Sequence, residues 1–367
     1  MLHVGLNLIF LVPGQTGGME VYARELAPRL AAIDDLRVTA FVNREAAGED
    51  FGCEQVVVPV AATSRLQWVR GEQLLLPRIA AARGIDLLHS LGSTAPIRGA
   101  FEKVVTVHDL MYKVIPDAHF GVRGLGMRVL VPAAVRTSDR VIAISDATRD
   151  DLRRALHVPE TKVAVVPQGV SPATVVPTPE TELRGRLDLG GRRVLLTVSA
   201  KRPHKNLLRL IEAFALLREP RPVLVLPGYP TPHEAELRAR AEQLGVHADV
   251  RFPAWVASAD LEGLYRLADA FVFPSLYEGF GLPVLEAMAR GVPVATSGRG
   301  SLSEVAGDAA LLFDPESVPA ITAALRVLLE EPAAAADLRE RGYRQASGFT
   351  WDQTASRTRA VYAELGG

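Results

Sequence analysis

The chain has one cysteine, Cys53, in 367 residues, which excludes an intrachain disulfide and any cysteine-based metal cluster. A protein of a reducing compartment is expected. Long apolar runs are also missing: no stretch approaches the roughly 18 uninterrupted apolar residues needed to cross a bilayer. The opening MLHVGLNLIFLVPG is apolar but carries no basic leader and no A-x-A cleavage signal, so it reads as a first buried strand. Charge of one sign is lacking too. Forty-one Lys and Arg against 42 Asp and Glu leave a formal net charge of -1, which argues against a dedicated nucleic-acid binder. No G-x-G-x-x-G follows the first strand, which counts against a nicotinamide dehydrogenase. Repeats and low-complexity segments are absent.

What remains is an ordinary globular composition, 48% hydrophobic and 23% charged, with a length that suits two domains. Short apolar runs alternate with helical periodicity, which predicts parallel sheets covered by helices on both faces. Strands are expected at 3–12, 37–42, 55–60, 85–90, 103–107, 140–144 and 162–166, then at 193–198, 222–226, 250–252, 270–273, 292–296 and 310–313. Helices are expected at 19–33, 66–83, 122–136 and 147–157, among others. Residues 171–192, SPATVVPTPETELRGRLDLGGR, hold three prolines and a glycine pair and read as a linker. The expected domains are therefore 1–175 and 176–350, both α/β, doubly wound and Rossmann-like, facing a cleft, with a last helix 351–367 packing back on the first. Ligands of such sheets bind beyond the carboxyl ends of the strands.

The run FVFPSLYEGFGLPVLEAM, residues 271–288, carries most of the functional signal. It is a strand ending at Pro274, a glycine-punctuated turn, and a helix opening at Pro283 and stopping at Gly291. A helix start preceded by glycines suits an anion, because its first N–H groups lack partners and its dipole favours negative charge. Glu278 and Glu286 flank that start, around Gly281 and Leu282. Carboxylates there would repel phosphate, so they suit hydroxyls on either side of it, which describes a sugar nucleotide. Four further loops follow expected strands. They are the glycine loop Pro13–Glu20; TVHDL, exposing His108; VSAKRPHKN, placing Lys201, Arg202, His204 and Lys205 before a helix; and GRGSLSEV, where Ser301 and Glu304 fit a capping box. Cations before a helix start oppose its dipole, so an anionic ligand would account for the third.

In this order Gly17-Gly18-Met19-Glu20, Val166-Pro167-Gln168-Gly169-Val170, Arg202-Pro203-His204-Lys205-Asn206, the segment from Pro274 to Pro283 and Glu286 resemble the retaining family 4 glycosyltransferases, enzymes of the GT-B fold. The likeness covers essentially the whole chain. TVHDL, SDATRDDL and RPHKN most resemble the mannosyltransferases that build bacterial surface polysaccharides. The resemblance implies that the second domain binds a nucleotide sugar, GDP-mannose ahead of a UDP-sugar, and the first a glycan or lipid-linked acceptor. It implies Glu286 on the ribose and Glu278 on the transferred sugar. Lys205 and Arg202, with the N–H groups near Gly281 and Leu282, would meet the diphosphate. His108 would lie beside the sugar, Gly17 and Gly18 near the phosphate, and the loop of Val256 near the base. No Asp-x-Asp stands at a strand end, so no metal and no further cofactor are expected. Ser199 stands where relatives often carry arginine, Gln168 where asparagine is common, and Pro253-Ala254 where a glycine often precedes Trp255-Val256. A cytoplasmic enzyme follows, with peripheral contact on the inner face of a membrane through the basic and apolar residues of 65–83 and 122–136.

Two other classes fit part of the pattern. A cleft sugar-binding protein would have two such domains but is usually exported. A glycoside hydrolase would use two carboxylates, facing across a sugar bond instead of flanking a phosphate site.

Overall fold

A computed structural model describes residues 1–115, 122–172, 175–254 and 256–365, excepting the side chains of 122–125. The chain forms two compact units, residues 1–169 with 349–367, and residues 170–348. The first is organised on a seven-stranded sheet of β1 (Leu2–Asn7), β2 (Leu36–Val42), β3 (Glu54–Val57), β4 (Leu87–Ser90), β5 (Glu102–Val107), β6 (Arg140–Ala143) and β7 (Val163–Val165). The strand order is β3-β2-β1-β4-β5-β6-β7, and every pairing is parallel. The second unit is built on six strands, β8 (Val194–Leu196), β9 (Val223–Val225), β10 (Val250–Arg251), β11 (Ala270–Phe273), β12 (Val294–Ser297) and β13 (Ala310–Phe313). Their order is β10-β9-β8-β11-β12-β13, again all parallel. Helices cover both faces, so central strands such as Val194-Leu195-Leu196 and Ala270-Phe271-Val272-Phe273 read as unbroken apolar runs and are wholly buried.

All the strands expected from the sequence are present, those at 270–273 and 310–313 with the expected bounds and the others with shifted ends. The first stops at Asn7 and not at Val12. Leu8, Ile9 and Leu11 are buried as a loop, which alternation alone cannot tell from strand. The expected helix at 66–83 is three pieces: α-helix Arg65–Arg70, a π turn Gly71–Leu75, and α-helix Leu76–Ala82. Within the π turn Leu76 N donates to Gly71 O, five residues back, directly before Pro77, which has no N–H to continue an α ladder. The expected linker at 171–192 contains a helix, Glu180–Arg186. Its prolines hide it, but Glu180 and Glu182 sit in its first turn, Arg184 and Arg186 pair back to them, and Leu183 is buried.

The last helix, Trp351–Ala363, is capped by Thr350 and packs on helix Gly18–Ala31 of the first unit. A buried polar network fastens it. His89 Nδ1 lies 2.6 Å from Tyr362 Oη and His89 Nε2 2.8 Å from Thr106 Oγ1, which also meets Tyr22 Oη at 3.2 Å. Burial pushes the His89 imidazole down to about 3, so it stays neutral and the network carries no charge.

Candidate active site

In a doubly wound sheet the place to look is where the strand order reverses. In the second unit that point lies between β8 and β11. The loops that leave those two strands are the basic segment Ser199–Asn206 and the run Pro274–Gly281, and they are stitched together. Leu276 N donates to His204 O at 2.9 Å. Asn206 adopts the left-handed conformation, φ 59°, and its Nδ2 donates to Pro274 O and Pro315 O at 3.1 and 2.7 Å. The result brings Lys205 Nζ to 2.5 Å from Glu278 Oε1, with both side chains mostly buried and the ammonium over the Phe273 ring.

Helix Leu282–Ala289 starts directly after that loop. Gly281, at φ 115°, allows the turn, and a Cβ there would stand 2.5 Å from Leu302 Cδ2. Ser301 supports the loop from outside, its hydroxyl lying 2.9 Å from Glu278 O and 2.7 Å from Phe280 O. The capping-box expectation is thereby corrected. Gly300, not Ser301, is the N-cap of helix Ser301–Ala306, and the Ser301 side chain braces the Glu278 loop.

Glu286 lies in this helix, and its surroundings were not legible beforehand. Tyr265 Oη, from helix Ser258–Leu267, donates to Glu286 Oε2 at 2.8 Å. Arg290 donates to the Glu286 carbonyl, stacks on Tyr265 at 5.2 Å and pairs with buried Glu262 at 2.7 Å. Burial pushes the Glu286 carboxyl up, against the pull of the tyrosine bond and Arg290. A buried tyrosine must find a partner for its hydroxyl, which was the one available signal.

The basic cluster separates into two classes. Lys205 pairs with Glu278, and Arg202 is exposed. Lys201 faces backbone carbonyls instead, a correction to its reading as an anion-binding cation. It is 0% exposed, and its Nζ donates to Gly228 O and Pro253 O at 2.7 and 2.8 Å, with Glu234 at 3.5 Å. It joins the loops after β8, β9 and β10, the last of which carries Val256. Trp255 itself lies outside the described residues.

In the first unit Gly17 takes φ 65° and ψ -135°, a region open to glycine, and caps helix Gly18–Ala31; a side chain at either glycine would meet open space. His108 follows β5 but is only 7% exposed, which corrects the expectation of an exposed ring: it turns inward to bond a carbonyl. Its Nε2 lies 2.7 Å from Leu91 O and its Nδ1 3.3 Å from Gln168 Nε2, while Tyr22 meets the ring edge-on. A carbonyl can only accept, so Nε2 carries the proton, and burial lowers the pKa. The ring is neutral and fixed. Among the described residues no three His, Cys, Asp or Glu side chains gather as metal ligands.

The chain matches the family model for glycosyl transferases group 1 over residues 180–345 and that for glycosyltransferase family 4 over residues 16–174. It is 31% identical to the O-antigen chain mannosyltransferase B of Escherichia coli, across 71% of this chain and 70% of that one. This protein belongs to the family 4 glycosyltransferases. It is also 30% identical to a D-inositol 3-phosphate glycosyltransferase of Thermobispora bispora, across 96% of this chain and 90% of that one. The alignment with the MMP alpha-(1->4)-mannosyltransferase of Mycolicibacterium hassiacum, 32% identical, spans 57% of that relative's length. Sucrose-phosphate synthase of Thermosynechococcus elongatus superposes with TM-score 0.80 at 23% identity over 100% of this chain and 99% of that one, which establishes the GT-B fold.

The Lys201 clamp gives a first prediction for this glycosyltransferase. Lys201→Met leaves the carbonyls of Gly228 and Pro253 without their donor, so stability falls by about 1–3 kcal/mol. Urea unfolding should show a lowered midpoint, and limited proteolysis new cuts within 226–233 or 252–257. A wild-type midpoint and cleavage pattern would contradict the clamp.

Proposed function

We propose that this glycosyltransferase moves mannose from GDP-mannose to a growing glycan or lipid-linked saccharide, with retention at the anomeric carbon and without a divalent metal. The observation that carries the reading is Lys205 paired with Glu278 at the start of helix Leu282–Ala289, where the strand order of the second unit reverses. Lys205, Arg202 and the N–H groups near Gly281 and Leu282 meet the diphosphate. Charge developing on the leaving phosphate finds cations and dipoles already in place, the part a metal plays elsewhere. Glu286 holds the ribose through the oxygen that Tyr265 leaves free, Glu278 holds the hydroxyls of the mannose, and the Val256 loop lies near the base. The acceptor hydroxyl bonds to the anomeric carbon as the sugar–phosphate bond breaks on the same face, and its proton passes to the leaving phosphate oxygen. Gly17 and Gly18 leave backbone uncovered by side chains, the part the family resemblance assigns them for a phosphate, and His108, assigned to the sugar, acts as a fixed neutral ring and not a proton carrier. Mannose is favoured by the TVHDL, SDATRDDL and RPHKN segments and by the named activity of the Escherichia coli relative.

Glu286→Ala is expected to raise the donor KM and Glu278→Ala to lower kcat, each about ten- to a hundredfold for a lost charge-assisted hydrogen bond. Steady-state kinetics checks both, and wild-type constants in either variant would remove that role. A thermal-shift panel of GDP, UDP, ADP and their sugars, run in EDTA, should move most with GDP-mannose. A larger shift with a UDP-sugar reassigns the base, and a response that needs magnesium or manganese contradicts the metal-independent reading.

The same proposal includes contact with a membrane surface through the first unit. No helix among the described residues is long and apolar enough to cross a membrane. In segment 65–82 Leu76 is buried and Trp68, Leu75 and Ile79 pack on the sheet, but Leu66 is 81% and Leu74 52% exposed, spaced with exposed Arg70 and Arg78 at four-residue intervals. Apolar residues between unburied cations fit an anionic bilayer. Arg128 and Val129 are exposed on helix Val122–Thr137, while the side chains of Arg123 and Leu125 lie outside the described residues. Salt-sensitive co-sedimentation with anionic vesicles is expected, weakened when Arg70 and Arg78 become Glu. No binding at low salt would end this part of the reading.

A further inference from the structure

The first unit buries a carboxyl group for which the reaction above has no use. Glu72 lies in the π turn Gly71–Leu75 and is 1% exposed. Its Oε1 accepts from Asn7 Nδ2 at 3.1 Å and Thr94 Oγ1 at 2.8 Å, and its Oε2 from Gln73 Nε2 at 3.2 Å. Asn7 also donates to Ser90 Oγ. Asn7 ends β1 and Ser90 ends β4, the two strands between which the order of the first sheet reverses. The groups that face Glu72 are thus Asn7 from β1, Ser90 behind it from β4, Thr94 from the next loop and Gln73 from its own turn. None titrates, and no charged side chain among the described residues pairs with it.

The loop held by Glu72 is the one that holds His108. On one side Thr94 bonds to Glu72, while Gln73 donates to Ala95 O at 3.0 Å and accepts from Ile97 N at 3.0 Å. On the other, Leu91 O accepts from His108 Nε2 and Ser93 Oγ accepts from His108 N at 3.1 Å. Ser93 sits at φ 66°, a conformation a serine keeps only when its surroundings impose it, and its N is tied to Thr106 O.

We infer that Glu72 is a positioning residue for glycosyl transfer, whose ionised carboxylate holds residues 91–97 in the conformation that fixes His108. The inference rests on the assignment of His108 to the site. The ionised form accepts all three donors. The protonated form turns one oxygen into an O–H, a poorer acceptor that needs a partner of its own, which weakens the bonds to Asn7, Thr94 or Gln73 and loosens the loop. Burial pushes this carboxyl up to about 7, against the pull of its three hydrogen bonds, so the change of state falls near neutral pH.

The sign of the linkage separates this role from a structural one. A carboxyl with a raised pKa in the folded protein stabilises it most below the ordinary carboxylate range, and that stability is lost as pH rises through about 7. The positioning role demands the opposite of activity, which should rise over the same interval. The test is kcat and melting temperature from pH 5.5 to 8.5 for wild type, Glu72→Gln, Thr94→Val and His108→Ala. Wild-type kcat should climb through neutral pH as melting temperature falls. Glu72→Gln should stay several-fold low and flat, with donor KM unchanged. Thr94→Val, which removes one bond to the carboxylate, should move the climb to higher pH, and it serves if Glu72→Gln does not fold. A wild-type climb retained by Glu72→Gln, or unmoved in Thr94→Val, overturns the inference. If His108→Ala keeps wild-type activity, it is instead the assignment of His108 that fails.

Discussion

A cation at the end of one strand and a carboxylate at the end of its neighbour, Lys205 and Glu278, meet at 2.5 Å with little access to water. Desolvating two charges is costly, and an isolated buried pair is no gain over apolar packing. Here the pair is surrounded by polar support. Asn206 bridges two carbonyls, Ser301 holds the carbonyls on either side of Gly279, and Gly281 lets the next helix begin close by. The arrangement keeps an ammonium and a carboxylate side by side; in the reaction proposed above, that is the preorganisation that stabilising a departing diphosphate needs.

The two site carboxylates are in different surroundings. Glu278 faces a full positive charge. Glu286 faces a neutral hydroxyl on one oxygen, with Arg290 engaged mainly by Glu262. Burial also pushes the Glu286 carboxyl up, and in the proposed reaction it accepts from neutral hydroxyls. The first unit repeats the theme with neutral partners only: His108 is locked between a carbonyl and an amide, and Glu72 among amides and a hydroxyl.

Much of this was legible in the sequence because the signals are local. The strand, turn and helix from Ala270 to Ala289 follow from a β-branched and aromatic run, a glycine turn and Pro283. What could not be read depends on partners distant in the chain. Lys201 and Lys205 lie four residues apart in one basic loop, yet one is wholly buried beneath carbonyls of two other loops. Ser301 fits a cap by spacing, but its hydroxyl bonds to the carbonyls of residues 278 and 280. Tyr265 and Glu72 gave only the general warning that buried polar groups need partners. The helix at 180–186 was hidden by flanking prolines.

The central claim is that the Lys205 side of the second unit receives the diphosphate. Calorimetric titration of wild type and Lys205→Met with GDP and with guanosine tests it most directly. The account predicts that GDP affinity falls about ten- to a hundredfold, the loss of one charge-assisted hydrogen bond, while guanosine binds both proteins alike. Equal GDP affinity in the two proteins, or an equal loss for GDP and guanosine, would contradict it.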